Sequence, residues 1–361
     1  FLQKEGFPVA ANITYHEQTD MDNIRKLREV LKTLPAFAKD YFRAIEPTTS
    51  TKTRISYAYD IRIFFQFLIS QNPSLAKIGI PNLNVSVLDQ LKPIDIEEYM
   101  EYLKLYDSPN DQMTITNGER GLKRKISSLR SFYTYYYKRQ AIETNPVQLV
   151  DMPKIHDKAI IRLDAGETAA LLDYIEHCGD QLTGQRKAYY EKTKLRDLAI
   201  VTLLLGTGIR VSECVGLDVE DIDFRNNGIR LIRKGGSEMV VYFGPEVEKA
   251  LKDYLEARKA ISPLEGHEHA LFYSTQRKRI GVQAVENLVK KYARAITTTK
   301  KITPHKLRST YGTTLYQETG DIYLVADVLG HKDVNTTKKH YAAMDDARRR
   351  KAATAIRLRE D

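Results

Sequence analysis

Cysteine is scarce in this 361-residue sequence, which contains only Cys178 and Cys214. Two cysteines do not make the disulfide framework of a small secreted domain, and they fit a chain that works in a reducing cytosol. Neither cysteine has a second ligand at the spacing of a zinc site. We therefore expect a cytoplasmic protein with no metal site.

Long apolar runs are missing as well. The longest apolar segment extends from Leu198 to Leu205, which is far short of the roughly 20 residues that cross a bilayer. It predicts a buried helix. The opening residues, FLQKEGFPVA, lack the basic segment and apolar core of a signal peptide. These features predict no membrane association.

Positive charge is in surplus, with 56 Lys and Arg against 47 Asp and Glu and a net charge of +9. A cationic surplus favours polyanions, because phosphate neutralisation with counterion release is the main sequence-independent term in DNA binding. A moderately basic enzyme would show the same surplus, so charge alone leaves the partner open. The length allows two ordinary domains, and 42% hydrophobic residues allow packed cores.

The chain divides into three parts. Residues 1–150 predict a helical domain that includes a helix from Asp20 or Asp22 to about Ile45. An apolar stripe at four-residue steps marks a second helix: Ile55, Tyr59, Ile63 and Phe67. Residues 151–162 have no clear period and predict a linker.

Residues 163–361 predict a mixed domain. Helices are expected at about 164–177 and 193–205, and the polar segment 182–194 is expected to be an exposed loop. Residues 228–243 predict two strands around a Lys-Gly-Gly turn. The fold class is therefore mainly α with a small β-sheet.

Six side chains in the second domain suit the cleavage of a phosphodiester without a metal: Arg210, Lys234, His305, Arg308, His331 and Tyr341. A tyrosine, with a reference pKa of about 10, must lose its proton as it attacks. The developing charge must be stabilised and the leaving oxygen protonated. Guanidinium groups suit the second task, because they stay charged and present paired donors to two phosphate oxygens.

The local context of each side chain supports this chemistry, although each also has an ordinary structural reading. Thr303 and Pro304 predict a helix start that places His305 and Arg308 on one face, near the positive end of the helix dipole; a basic surface turn is the alternative. Gly206 and Gly208 permit unusual backbone angles before Arg210.

The other four residues are open to the same two readings. Glu213 either holds Arg210 or His305, or forms an ordinary surface pair. Lys234 is either a proton donor with a lowered pKa or a solvated turn lysine. His331 follows a helix-ending Gly330 and can donate to a phosphate in either tautomer. Tyr341 alone would more often be a core residue.

Taken together, the motifs resemble the tyrosine recombinase (integrase) family. The motifs are GTGIRVSE, IRKGG, TPHKLRST and LGH, followed by Tyr341. Within the family the chain is similar to the XerS-type single-recombinase Xer group, and phage and conjugative-transposon integrases share most of these features. The resemblance implies a two-domain clamp on DNA, with a helical core-binding domain and a mixed α/β catalytic domain.

The resemblance also implies roles. Tyr341 is the nucleophile that forms a 3′-phosphotyrosyl link, Arg210 and Arg308 clamp the phosphate, and Lys234 is the general acid. His305 is the general base or a hydrogen-bond donor. His331 donates to the phosphate and Glu213 supports the site. No ATP, metal or other cofactor is required, because the covalent intermediate stores the bond energy.

The implied partners are double-stranded DNA with a specific recombination site and three further copies of the chain, four protomers on two duplexes. A DNA translocase or an accessory directionality factor is a further candidate. The activity would serve chromosome dimer resolution or the integration and excision of a mobile element. The alternatives are a DNA-relaxing enzyme similar to type IB topoisomerases, and a non-catalytic DNA-binding accessory protein on the same fold.

Two features depart from the family pattern. Ser309 stands where many members have a second histidine, and ten positions separate His331 from Tyr341 where nine is usual. The tail after Tyr341 has helical composition. In the family such a tail packs on a neighbouring protomer; a solvated basic helix is the alternative.

Basic clusters predict how DNA is held. One lies at a helix start near residue 52, a second on the helix of residues 118–138, and a third before a helix near residue 280. Their cations are expected to contact phosphates, although a charge run is usually a solvated face: Lys52, Arg54, Lys123, Arg124, Lys125, Arg130, Arg277, Lys278 and Arg279.

Overall fold

The computed structural model describes residues 14–107, 113–156, 160–233, 237–331, 333–335 and 337. The chain forms two compact units, residues 1–158 and 159–361. The division falls within residues 151–162, which the sequence predicts as a linker. The function of each unit stays a prediction at this point.

The first unit is built from helices and a short antiparallel hairpin. Its helices are α1 (Tyr15–Leu31), α2 (Ala38–Ala44), α3 (Thr51–Gln71), α4 (Pro73–Ile78), α5 (Pro93–Tyr102), α6 (Glu119–Lys138) and α7 (Pro146–Leu149). Short 3-10 turns lie at Glu46–Thr48, Ile80–Asn82 and Val85–Leu88. The hairpin joins β1 (Leu105–Asp107) to β2 (Thr114–Thr116).

Aromatic side chains form the centre of this unit. Phe64 and Phe65 of α3 and Phe132 of α6 are fully buried. The ring of Phe132 meets that of Phe65 edge-on, with centroids 6.1 Å apart. Such contacts add to the free energy gained from burial. The predicted stripe on α3 is thus part of a helix that packs on α6.

The first helix differs from its prediction. It begins at Tyr15, because Thr14 and Glu17 cap it reciprocally, with the Glu17 amide donating to Thr14 Oγ1 over 3.3 Å. It ends at Leu31 rather than near Ile45, and α2 starts only at Ala38. The residue before a proline is disfavoured in a helix, and Pro35 lies in this break.

The second unit surrounds a three-stranded antiparallel sheet. Its helices are α8 (Ala165–His177), α9 (Gly184–Thr207), α10 (Val211–Gly216), α11 (Pro245–Arg258), α12 (Val282–Ile296), α13 (Pro304–Thr319) and α14 (Ile322–Leu329). The strands β3 (Ile222–Asp223), β4 (Gly228–Ile232) and β5 (Glu238–Tyr242) lie in that order. Short 3-10 turns lie at Cys178–Gln181 and Val219–Asp221.

The predicted hairpin is confirmed. β4 and β5 pair with Arg230 opposite Val240, and the Arg233 amide donates to the Ser237 carbonyl over 2.8 Å. The fold class, mainly α with small antiparallel sheets, is confirmed as well.

The segment 182–194 is not the predicted loop, because α9 already begins at Gly184. Tyr190 explains the error. Its ring is buried against Gly179, and its hydroxyl donates to the Ile175 carbonyl over 2.9 Å. One buried aromatic side chain therefore outweighs the polar composition around it.

The central helix α9 carries the buried apolar run that the sequence predicts, with Ile200, Leu203 and Leu204 fully enclosed. Gly206 lies inside this helix, where an added Cβ would come within 2.4 Å of Val247 on α11. Its role is close packing of α9 on α11, which corrects the expectation of an unusual backbone angle at this residue. Within the described ranges, no helix is long and apolar enough to cross a membrane.

Candidate active site

The C-terminus of α14 is the point at which the candidate site residues meet. Gly330 ends the helix with φ of 60°, in the left-handed region. The amides of Gly330 and His331 donate back to the carbonyls of Asp327 and Ala326, over 2.8 and 2.9 Å. This is a common way to close a helix, and it needs a residue without a Cβ at the turn. His331 therefore leaves the helix in a defined direction.

Three guanidinium groups converge on this helix end. Arg233 donates to the Val328 carbonyl over 3.0 Å, Arg308 donates to that of Leu329, and the Arg210 Nη2 lies 3.4 Å from that of Gly330. The last carbonyls of a helix lack partners within the helix and carry a partial negative charge. Three arginines from distant parts of the chain thus meet at the end of α14, because their positive charge and their N–H donors match its carbonyls.

Arg308 is the most enclosed of the sequence-predicted site residues. It lies in the first turns of α13, which begins at Pro304 after Thr303 as predicted. It is 5% exposed, and its Nη1 donates to the Gly208 carbonyl over 2.6 Å. Backbone carbonyls on two sides therefore hold this guanidinium in place.

Arg210 and Glu213 form the predicted pair. Glu213 caps α10, with its Oε2 accepting from the Arg210 amide over 2.7 Å, and its Oε1 accepts from Arg210 Nη1 over 2.7 Å. The Glu213 side chain is 6% exposed, whereas that of Arg210 is 41% exposed. A buried carboxylate therefore holds both the backbone amide and the guanidinium of Arg210, while the side chain stays partly open to solvent.

Gly208 connects these groups. Its φ of 63° ends α9 in the left-handed region, as the sequence suggested for this position. An added Cβ would lie 2.3 Å from the Tyr311 ring and 3.0 Å from Leu329. Both the left-handed backbone and the lack of space for a Cβ require a glycine here. The glycine lets α9, α13 and α14 approach one another closely.

The two predicted histidines differ in setting. His305 is exposed in the first turn of α13, three residues before Arg308. His331 is half-buried, and its Nδ1 lies 2.7 Å from the hydroxyl of Thr337, which is fully buried. That contact fixes the orientation of the His331 ring.

Lys234 and Tyr341 lie outside the described residues. The structure therefore brings together Arg210, Glu213, Arg308 and His331, with His305 on the same helix as Arg308. The roles of all these residues stay predictions.

Arg233 is a site residue that the sequence analysis missed. Its side chain is 10% exposed, and its Nε lies 3.9 Å from Glu213 Oε1. Burial lowers the pKa of this guanidinium, with Arg210 adding to the effect and Glu213 opposing it. No sequence pattern distinguishes Arg233 from other arginines, so only its charge could have drawn attention to it.

The predicted DNA contacts fall into two groups. The first group is open to solvent to some degree: Lys52, Lys123, Arg124, Arg277 and Lys278. Of these, Arg124 also pairs with Asp60 over 2.5 Å.

The second group is engaged within the protein. Arg54 is buried and pairs with Glu46, and Lys125 is buried with its Nζ 3.5 Å from Asp60 Oδ1. Arg130 donates to the Val147 and Val150 carbonyls. Arg279 donates to Asp218 and to the carbonyls of Val215 and Leu217. These contacts, together with the burial of Arg54 and Lys125, count against the predicted phosphate contacts of the second group.

Comparison with known proteins places the chain. The model of the phage integrase family matches residues 162–348, more than half of the sequence. The chain belongs to the phage integrase family. It is 32% identical, over 92% of its length and 90% of the relative, to the tyrosine recombinase XerC of Caldanaerobacter subterraneus subsp. tengcongensis. It is 29% identical, over 90% of its length and 96% of the relative, to the tyrosine recombinase XerS of Streptococcus equi subsp. zooepidemicus.

A solved structure agrees with this placement at the level of the fold. The XerH site-specific recombinase, bound to a palindromic difH substrate in a post-cleavage complex, matches with a TM-score of 0.65 at 18% identity. The match covers 93% of this chain and 89% of that one. The family match and the relative at 32% identity show that the chain is a tyrosine recombinase, an enzyme of site-specific DNA recombination, as its motifs predicted.

Proposed function

We propose that this recombinase cuts and rejoins double-stranded DNA at a specific site through a covalent link to Tyr341. The observation that carries the proposal is the convergence of Arg210 and Arg308 at the end of α14, directly before His331. Two guanidiniums held by the carbonyls just before a histidine are suited to a phosphate and to the charge it gains during attack.

In the proposed first step, the Tyr341 oxygen attacks the phosphorus and forms a 3′-phosphotyrosyl bond while the bond to the 5′-oxygen breaks. His305 accepts the phenolic proton and Lys234 donates a proton to the leaving oxygen, which becomes a 5′-hydroxyl. Arg210, Arg308 and His331 stabilise the charge on the non-bridging oxygens.

In the second step, a 5′-hydroxyl from the partner duplex attacks the phosphotyrosyl phosphorus and releases Tyr341. The number of phosphodiester bonds is the same before and after, so no external energy source is required. Repeating the exchange on the second pair of strands passes through a Holliday junction. We propose that four protomers act on two DNA sites in the cytoplasm.

Covalent trapping tests the function. The purified chain is incubated with sheared genomic DNA from its source organism, denatured with detergent, and assayed for DNA that remains attached to protein. Attached fragments are expected with the wild type and not with Tyr341→Phe, which keeps the ring and loses the nucleophile. Equal trapping by both would contradict the assignment of Tyr341.

Sequencing the attached ends separates the biological settings. One chromosomal locus would indicate chromosome dimer resolution, and the ends of an element would indicate integration and excision. Cuts without a shared sequence, together with relaxation of any supercoiled plasmid, would instead indicate a topoisomerase.

A further inference from the structure

Arg233 has no part in the roles proposed so far, yet it belongs to the arginine cluster at the end of α14, together with Arg210 and Arg308. Its Nη2 donates to the Val328 carbonyl over 3.0 Å. Its Nε is buried and has no hydrogen-bond partner among the residues that the structure describes, and Glu213 Oε1 is 3.9 Å away. A buried donor without an acceptor costs free energy, so its position beside Glu213 calls for an explanation.

Glu213 Oε1 is shared between two cations. In the structure it accepts from Arg210 Nη1 over 2.7 Å, and Arg233 stands at the longer distance. If Arg210 turns its Nη1 toward a DNA phosphate, the Glu213 carboxylate, 6% exposed, loses its close cation and keeps the neutral Arg210 amide at Oε2. Leaving a buried charge without a partner is strongly unfavourable. Arg233 is the cation already in place to prevent this.

We propose that Arg233 is a positioning residue that takes over Glu213 Oε1 when Arg210 engages the scissile phosphate. Its Nε closes the remaining distance and gains the hydrogen bond it lacks. Glu213 keeps a partner, still caps α10, and still holds the Arg210 backbone. The proposal rests on the proposed function, because it concerns the phosphate that Arg210 binds.

Gly330 independently supports a defined position for the Arg233 guanidinium. A Cβ built on Gly330 would come 1.2 Å from Arg233 Nη1. Any side chain at residue 330 must therefore displace the guanidinium. The same glycine ends α14 before His331, so the helix end and the position of Arg233 depend on one residue.

The test compares DNA binding with cleavage, on a duplex that carries the site found by covalent trapping. For Arg233→Met we expect DNA binding within about threefold of wild type and single-turnover cleavage slower by roughly tenfold to a hundredfold, since a small misplacement of a reacting group costs that much. Arg233→Lys keeps a cation near Glu213 and should recover part of the rate. Thermal unfolding of each variant without DNA reports whether it is folded.

Two further variants separate this role from a purely structural one. The Glu213→Gln variant has no buried charge at this position to compensate. Adding Arg233→Met to it should therefore slow cleavage, relative to Glu213→Gln alone, by far less than Arg233→Met slows the wild type. Gly330→Ala should slow cleavage as Arg233→Met does. Gly266→Ala, at a glycine with φ of 79° and no atom within 4 Å of the added Cβ, is its matched control.

Each outcome is decisive. If the wild type cleaves the site and Arg233→Met cleaves it at the same rate, Arg233 does not have the proposed role. The proposal also fails if Arg233→Met slows cleavage by the same factor in the wild type and in the Glu213→Gln background. If the wild type itself forms no covalent complex, the proposed function fails instead, which is a different result from either.

Discussion

Gly208 shows how much one residue decides in this site. Its carbonyl accepts from Arg308, and an added Cβ would lie 2.3 Å from the Tyr311 ring. We predict that Gly208→Ala lowers the free energy of unfolding by about 1–3 kcal/mol from overpacking and by about 1–2 kcal/mol from the left-handed backbone. Gly266→Ala, with no neighbour to meet, should show only the backbone part. Urea unfolding measures both, and equal losses would contradict the packing argument.

The thiol of Cys214 gives a second prediction at this scale. Burial raises the pKa of Cys214 to about 12, and the side chain is 1% exposed. Because the thiolate is the reactive form, we predict that iodoacetamide leaves Cys214 unmodified at pH 8 and labels it fully in urea. Peptide mass spectrometry measures the labelling. Rapid labelling of the native protein would show that the helix α10 opens readily.

The packing of α3 on α6 includes a buried charge pair. Asp60 is 2% exposed and Lys125 is 7% exposed, and Arg124 reaches the same carboxylate from the surface. Burial raises the pKa of Asp60 and lowers that of Lys125, and in each case the opposite charge of the partner opposes the effect. We expect the pair to specify how the two helices meet more than it stabilises them, because desolvation offsets much of the attraction within a buried ion pair.

Removing one partner should be costly and removing both should not. We predict that Asp60→Leu lowers the free energy of unfolding by about 3–5 kcal/mol, because Lys125 is left buried without its carboxylate. The double variant Asp60→Leu with Lys125→Met should recover most of the loss. Glu29→Ala, which breaks an exposed pair with Lys32, is the control and should cost less than about 1 kcal/mol. Additive losses in the double variant would argue against the pair.

At the level of elements, the sequence predicted those helix starts and turns that depend on interactions between neighbouring residues. Thr303 and Pro304 indicated the start of α13, and the Lys-Gly-Gly sequence indicated a hairpin, because helix starts and tight turns depend on neighbouring residues. The start of α9 was missed, since it depends on Tyr190 packing against Gly179, which no local pattern reveals.

The arginine cluster was predictable only in part. The family motifs pointed to Arg210 and Arg308, but the acceptors that gather them are main-chain carbonyls of α14, and a sequence contains no signal for those. Arg233 was missed for the same reason. Glu213 was predicted to hold Arg210 or His305, with an ordinary surface pair as the alternative, and the structure pairs it with Arg210. The Arg210 option was visible because a carboxylate three residues away at a helix start is a local pattern.

At the scale of the whole molecule, the net charge of +9 acts through the cations that remain exposed. Lys52 lies in the first turn of α3, and Lys123 lies on α6. In the second unit, Arg277 with φ of 61° and Lys278 lie in a turn in which the Ser274 amide donates to the Lys278 carbonyl. We expect these side chains to contact phosphates.

The salt dependence of DNA binding tests this expectation. Each lost phosphate contact should lower the slope of log K against log salt by about 0.9 on duplex DNA. Two double variants, Lys52→Ala with Lys123→Ala and Arg277→Ala with Lys278→Ala, should therefore each lower it by about 1.8. Fluorescence anisotropy with one labelled duplex over a series of KCl concentrations gives the slopes. Lys259→Ala, an exposed lysine paired with Glu256, should leave the slope unchanged. If either double variant keeps the wild-type slope, its two cations do not contact the DNA, and that unit must bind phosphates with other side chains.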